Sequence, residues 1–356
     1  MTEFATPDAT DDGHDEPFAP PPLPSQPGRF STLVRRVRQS WRALLLLCVA
    51  LAAGWGVWWL INREPAPAGE FLARLSSKDT RFGCVAFSRD GKRVAAGGNQ
   101  GSVALWDTST FAELPLPRAS QQSITVLGTT ADQFLVAATL SHRLIVWDLK
   151  KKKSRELPKL AAPISSLACH PTQPHLVAGL SDGQLYFLNA KSGQSELVAS
   201  GHRGPVKALL FADHGKVLVS GGADGQLIWR DAATRKTLRT DRSHKGEVAA
   251  LAENGAGRVA SGDWNGQIFL WQGKGDSPVQ GFAQADAVSG LAFSGQALVS
   301  SSWDGRLRFW MDTIQPIYVI DTHRPILGLA ISPSQAVLAT ASSRGVDLWR
   351  SPTSNR

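Results

Sequence analysis

Cys84-Val85-Ala86-Phe87-Ser88, Arg93-Val94-Ala95-Ala96-Gly97 and Gly101-Ser102-Val103-Ala104-Leu105-Trp106-Asp107 are three short apolar runs parted by Asp, Asn and Gly. Turn residues punctuating segments of strand length are the written form of a three-stranded meander. The passage returns six times. Its last run recurs as His142–Asp148, Gly183–Asn189, Gly225–Asp231, Gly266–Trp271, Gly305–Trp310 and Gly345–Trp349. The aligned Trp positions are 106, 147, 188 (Leu), 230 (Arg), 271, 310 and 349, in steps of 41, 41, 42, 41, 39 and 39. A period held this closely marks an array of like supersecondary units.

Seven units occupy Phe71 to Arg350, 280 residues, ample for a closed core. A four-stranded unit of about 40–45 residues is the blade of a propeller. The expected fold is therefore all-β, a seven-bladed β-propeller of four-stranded antiparallel blades, preceded by one transmembrane α-helix and a disordered N-terminal tail. Three Cys in 356 residues make no disulfide framework. Cys84 and Cys169, in blades that are not neighbours, read as small core residues.

The N-terminal region sorts by charge. Residues 1–28 hold six acids, no base and the run Pro20-Pro21-Pro22-Leu23-Pro24, too little apolar surface to offset ordering, so a solvated tail is expected. Residues 29–42 are basic, with Arg29, Arg35, Arg36, Arg38 and Arg42. Residues 43–61 are uncharged and largely apolar, with Trp41 at one end and Trp58 and Trp59 at the other. Nineteen residues at 1.5 Å each reach about 29 Å, which matches a bilayer core. The segment reads as a single span, a signal anchor; the competing reading is cleavage after Ala66-Pro67-Ala68. Five Arg before the span, against Arg63 and Arg74 after it, keep the N-terminus cytoplasmic and place the repeats outside, in the periplasm if the cell is bacterial. Residues 62–70 form a Pro/Ala linker, and 351–356 a short tail. The repeats carry a net charge of +10, a mild excess over so long a stretch, and no nucleic-acid partner is expected.

The repeats resemble the WD-repeat (Trp-Asp repeat) β-propeller family over about 71–350. Val85-Ala86-Phe87-Ser88-Arg89-Asp90-Gly91-Lys92 and Leu105-Trp106-Asp107 carry the likeness. The resemblance implies that the four strands of a blade, a to d from the axis outward, are written d–a–b–c. Phe71–Leu75 would then complete the last blade beside Val346–Trp349. It also implies a hydrogen-bonded set of His, Ser or Thr, Asp and Trp in a blade. By position, blade four offers His202, Ser220 and Asp224 with Arg230 for Trp. Blade five offers His244, Ser261 and Trp271 with Asn265 for Asp. Blade six offers Ser300, Asp304 and Trp310 with Gln284 for His. None of the three sets is complete by position, and repeat position accounts for His202, His244 and His323 alike.

No nucleophile elbow, zinc-protease motif or phosphate-binding loop is present in the sequence. The runs expected to line the channel hold one charged residue, Lys207, so an enzyme is not expected, nor a metal or other cofactor. The expected function is a membrane-anchored, non-catalytic scaffold for protein partners. Its alternatives are a receptor or sensor with a ligand in the central channel, or an enzyme. Trp264 and Trp303 occupy the same b–c turn in adjacent blades, on the face the family commonly uses for partners, and exposed aromatics anchor interfaces. The opposing reading is that each ring packs on its neighbouring blade's loop. Arg203, Lys245 and Arg324 should rim the same face. Lys150, Lys151, Lys152 and Lys153 form a c–d turn on the opposite face, where they would meet anionic headgroups or, more simply, water.

Overall fold

The computed structural model describes residues 69–77, 81–117, 121–131, 134–272, 277–311 and 313–351. The tail, the basic segment and the span expected at 43–61 lie outside the described residues. Among those described, no helix is long and apolar enough to cross a membrane.

The first strand, β1 (Phe71–Leu75), stands apart from those that follow it. Blade one is β2 (Phe82–Phe87), β3 (Arg93–Gly98), β4 (Val103–Asp107) and β5 (Glu113–Leu114). Blade two is β6 (Ile124–Thr129), β7 (Phe134–Thr139), β8 (Leu144–Asp148) and β9 (Lys153–Glu156). Blade three is β10 (Ile164–Cys169), β11 (His175–Leu180), β12 (Gln184–Asn189) and β13 (Ser195–Ala199). Blade four is β14 (Val206–Ala212), β15 (Val217–Gly222), β16 (Leu227–Asp231) and β17 (Thr237–Asp241). Blade five is β18 (Val248–Glu253), β19 (Arg258–Asp263), β20 (Gln267–Gln272) and β21 (Gln280–Ala283). Blade six is β22 (Val288–Ser294), β23 (Ala297–Ser302), β24 (Arg306–Trp310) and β25 (Tyr318–Asp321). Blade seven has β26 (Gly328–Ile331), β27 (Val337–Ser342) and β28 (Gly345–Arg350), and takes β1 as its outer strand in the order β26-β27-β28-β1. The pairing sets Phe71 opposite Trp349 and Leu75 opposite Val346, as the repeat frame requires.

All pairs are antiparallel, so b–c turns and d–a connections share one face, here called upper, and a–b and c–d turns share the lower. Alternation decides burial. Trp106, Trp147, Trp271 and Trp310 are fully buried, each contributing about 4–6 kcal/mol of transfer free energy. Where blade four has Arg230, the Trp is one residue earlier: Trp229 lies on the strand's other side and packs on Trp271, ring centroids 5.2 Å apart. The buried Arg230 guanidinium donates instead to the carbonyls of Ser200 and Arg235, at 2.6 and 2.7 Å. The b–c turn needs a positive φ where six units are written with Gly; His142 takes that conformation in blade two, at φ 66°.

Strand a is bulged after its first residue in blades one to six. The bulged residues are Gly83, Thr125, Ser165, Lys207, Ala249 and Ser289. A bulge re-aims a side chain. Ser165 uses it to donate to Val206 O of the next blade, at 2.7 Å.

Candidate interaction face

Hydrogen-bonded chains brace the upper loops. In blade five the chain is complete: Trp271 Nε1–H donates to Ser261 Oγ at 2.8 Å, Ser261 lies 2.7 Å from His244 Nε2, and His244 Nδ1 lies 3.0 Å from Asp263 Oδ2. The other oxygen of Asp263 accepts the backbone N–H of Asn265 and of Gln267, both at 2.9 Å. The acid that position assigned to Asn265 is therefore supplied two residues earlier, and the set expected to be incomplete is whole. Blade four shows why this works. Gly222 is the counterpart of Asp263, and a Cβ there would collide with Asp224 Oδ1 and His202 Nδ1. A carboxylate can reach the same spot from either position. Burial pushes the Asp263 carboxyl up, but bonds from His244 and the Gln267 and Asn265 amides outweigh it and hold the carboxyl below its ordinary range.

Blade four keeps His202 between Asp224 (3.0 Å) and Ser220 (2.9 Å). In blade six Gln284 replaces His: Trp310 donates to Ser300 at 2.9 Å, and Ser300 donates to Gln284 Oε1 at 2.8 Å. Asp304 leaves the network and pairs with Arg308 at 2.5 Å. His323 also departs from expectation. It holds the d–a connection of blade seven but is exposed at φ 57°, beside Asp321 at 3.2 Å.

Burial pushes the His202 imidazole down, more than Asp224 draws it up. Its folded-state pKa thus lies below the unfolded value of about 6.5, so its stabilisation is complete above that value and is lost as pH falls toward the folded one. His170, also pushed down by burial, adds the same sign. The thermal midpoint should fall between pH 7 and pH 5, and His202→Gln, which copies the Gln284 arrangement, should remove part of that slope. A variant as pH-sensitive as the parent would contradict this.

Above this frame sits the aromatic pair. Trp264 and Trp303 are 48% and 45% exposed, and their rings touch with centroids 5.4 Å apart at 57°. They pack on each other, and two indoles form one platform. Lys207, carried by the bulge of β14, places its ammonium 5.6 Å from the Trp264 ring and 2.9 Å from Glu247 Oε2. The one charged residue of the channel runs is thus paired with an acid at the upper edge of the platform. Sequence reading missed this role; the signal was a lysine where other blades place Gly, Ala, Ser or Thr. Arg203, Lys245 and Arg324 lie on the d–a connections of blades four, five and seven, on the same face. They stand on three separate loops: Arg203 and Lys245 are exposed, while Arg324 is half-buried with Nη1 lacking an acceptor.

The lower face differs. Lys150–Lys153 form the turn from β8 to β9, all exposed, shaped by Asp148 Oδ1 accepting the N–H of Lys150 and Lys151. A cavity of about 680 Å³ opens between blades three and four, lined by His170, His175, Phe187, Phe211 and Arg235. Another, of about 560 Å³, runs past the lower ends of the innermost strands, including Phe87, Leu210, Leu251 and Ala330.

The family model for the WD domain, G-beta repeat, matches residues 69–107, 193–230 and 277–311. Three stretches of the chain thus match the WD40 repeat. Each matched segment begins before an outer strand and ends near the third strand of the next blade, the frame that lets β1 close the ring. Periodic tryptophan protein 2 of Arabidopsis thaliana is 28% identical over 271 residues, 73% of this chain and 25% of that protein. Set1 complex component swd1 of Schizosaccharomyces pombe is 33% identical over 100 residues, 28% of this chain and 25% of that one. The chain thus spans a quarter of the length of these curated relatives. A chain in the crystal structure of the mitotic checkpoint complex shares the fold, with TM-score 0.72 and 20% identity over 82% of this chain and 94% of that one.

Proposed function

We propose that this WD40-repeat propeller is a non-catalytic platform, held to a membrane by residues 43–61, that binds a protein partner on its upper face. The observation that carries the reading is the exposed Trp264–Trp303 pair, stiffened by a buried network below and edged by Lys207. Rigid aromatics with a polar rim are the anchors that dominate interface energies. Arg203, Lys245 and Arg324 give that rim a basic character suited to an acidic partner segment. The likeness to swd1, named as a component of a complex, supports the same reading. In this scheme the lower face looks toward the lipid, and each lysine of the Lys150–Lys153 turn near anionic headgroups contributes about 1 kcal/mol.

Replacing both Trp264 and Trp303 with Ala in the full chain should weaken capture of the partner, identified by cross-linking in intact membranes, about 100-fold or more, with thermal unfolding little changed. Undiminished capture would remove the platform from the interface. Protease shaving of intact cells tests the topology, and cleavage of the N-terminal tail with a protected propeller would reverse it.

A further inference from the structure

The c–d turns on the lower face share a capping rule in blades one to four that blade six does not follow. In blades one to four the turn opens on Asp107, Asp148, Asn189 or Asp231, whose side-chain oxygen accepts the N–H groups two and three residues on. In blade six that position is Met311, and the sequence continues to Ile314, Pro316 and Ile317. Ile314 is 75% exposed, the highest of the large apolar residues described, and Ile317 is 55% exposed. Val319 on β25 and Phe71 on β1 are partly bare beside them. Gly69, just before β1, packs on Tyr318 and Ile320, so the chain enters the propeller next to this turn. Scattered exposed apolar residues are ordinary, but a cluster of them marks a contact.

We propose that the tip of the blade-six turn, Ile314 to Ile317, with Phe71 beside it, dips into the interfacial layer of the bilayer that holds the chain. The proposal rests on the reading of residues 43–61 as a membrane span. That apolar run ends eight residues before Gly69, and eight extended residues reach at most about 29 Å. Gly69 is thereby tethered within about 29 Å of the end of that run, and of residues 311–317 only Asp312 carries a charge. The Lys150–Lys153 turn lies on the same face, so an apolar contact and a basic one would together fix the tilt of the ring.

The test uses the full chain with Cys48→Ser, reconstituted in phosphatidylcholine–phosphatidylglycerol vesicles containing spin-labelled lipid. An environment-sensitive fluorophore is attached through Ile314→Cys or, as control, through Leu140→Cys, a 58% exposed apolar residue in an upper turn. Cys84 and Cys169 are half-buried, so the Cys48→Ser chain without an introduced cysteine is labelled in parallel and its signal subtracted. Quenching at position 314 should exceed that at position 140 at least about threefold. Equal quenching in a chain that resists alkaline carbonate overturns this contact alone. Release by carbonate overturns the span and the contact with it. A label at 314 shielded only in native membranes, and not in vesicles, assigns the patch to a protein and also overturns the proposal.

Discussion

Asp263→Ala will lower the stability of the propeller by about 3–5 kcal/mol, the range for breaking a buried charged hydrogen-bonded pair by removing one partner. Asp263 is fully buried, and its loss strands the Asn265 and Gln267 amides and the His244 Nδ1–H at once. At about 2–4 °C per kcal/mol for a chain of this size, the thermal midpoint should drop by about 10 °C. Asp263→Asn keeps one acceptor and should cost less. Asn265→Ala, at the position where the repeat pattern puts the acid, should change stability by less than about 1 kcal/mol. Thermal unfolding of the three variants ranks them, and equal losses at 263 and 265 would refute the assignment. The sign with pH follows from the same bonds. A carboxyl held below its unfolded value contributes stability that is present above about pH 4 and is lost as pH falls through its folded-state value. Asp263→Ala should therefore flatten the acid limb of the stability curve.

The second large effect concerns β1. Deleting residues 69–75 removes the outer strand of blade seven and bares the hydrogen-bonding edge of β28. It also removes Leu75 from the core, the Phe71–Trp349 ring contact at 5.3 Å, and the Arg74 fork on the buried Asp347, at 2.6 and 3.1 Å. An open sheet edge invites pairing between molecules. The expected outcome is a broadened, less cooperative transition and aggregation that rises with protein concentration, read by scanning calorimetry and light scattering. Arg74→Ala, which leaves the strand but orphans Asp347, should give an intermediate loss. A deletion that still melts sharply at the parental temperature would mean that the ring does not depend on its clasp.

The repeat period carried most of the fold. Strand count and blade number follow from where apolar runs and turn residues fall, while the pairing of β1 with β28 and the face of each turn came from the resemblance to WD repeats. Position along a repeat did not carry the polar interior. Asp224 in blade four and Asp263 in blade five put a carboxylate on their histidines from different Cα atoms, and a pattern that counts residues back from the turn glycine sees only one of them. Lys207 was visible as an odd charge, but the bulge that swings it toward Glu247 and Trp264 is a feature of backbone register. His323 shows the reverse error: it holds the right place in the repeat, yet its left-handed backbone leaves the ring in solvent.

The ends of the ring meet late. Arg74 leaves the ribosome 273 residues ahead of Asp347, its partner in the clasp. At about 5–20 residues per second, that delay is about 14–55 s. Through that interval the native partner of β1 has not been made, and a nascent chain halted before Gly345 lacks β28 altogether. Closure is therefore a check on translation having run through the seventh blade, and truncated products are marked out by an unsatisfied N-terminal strand.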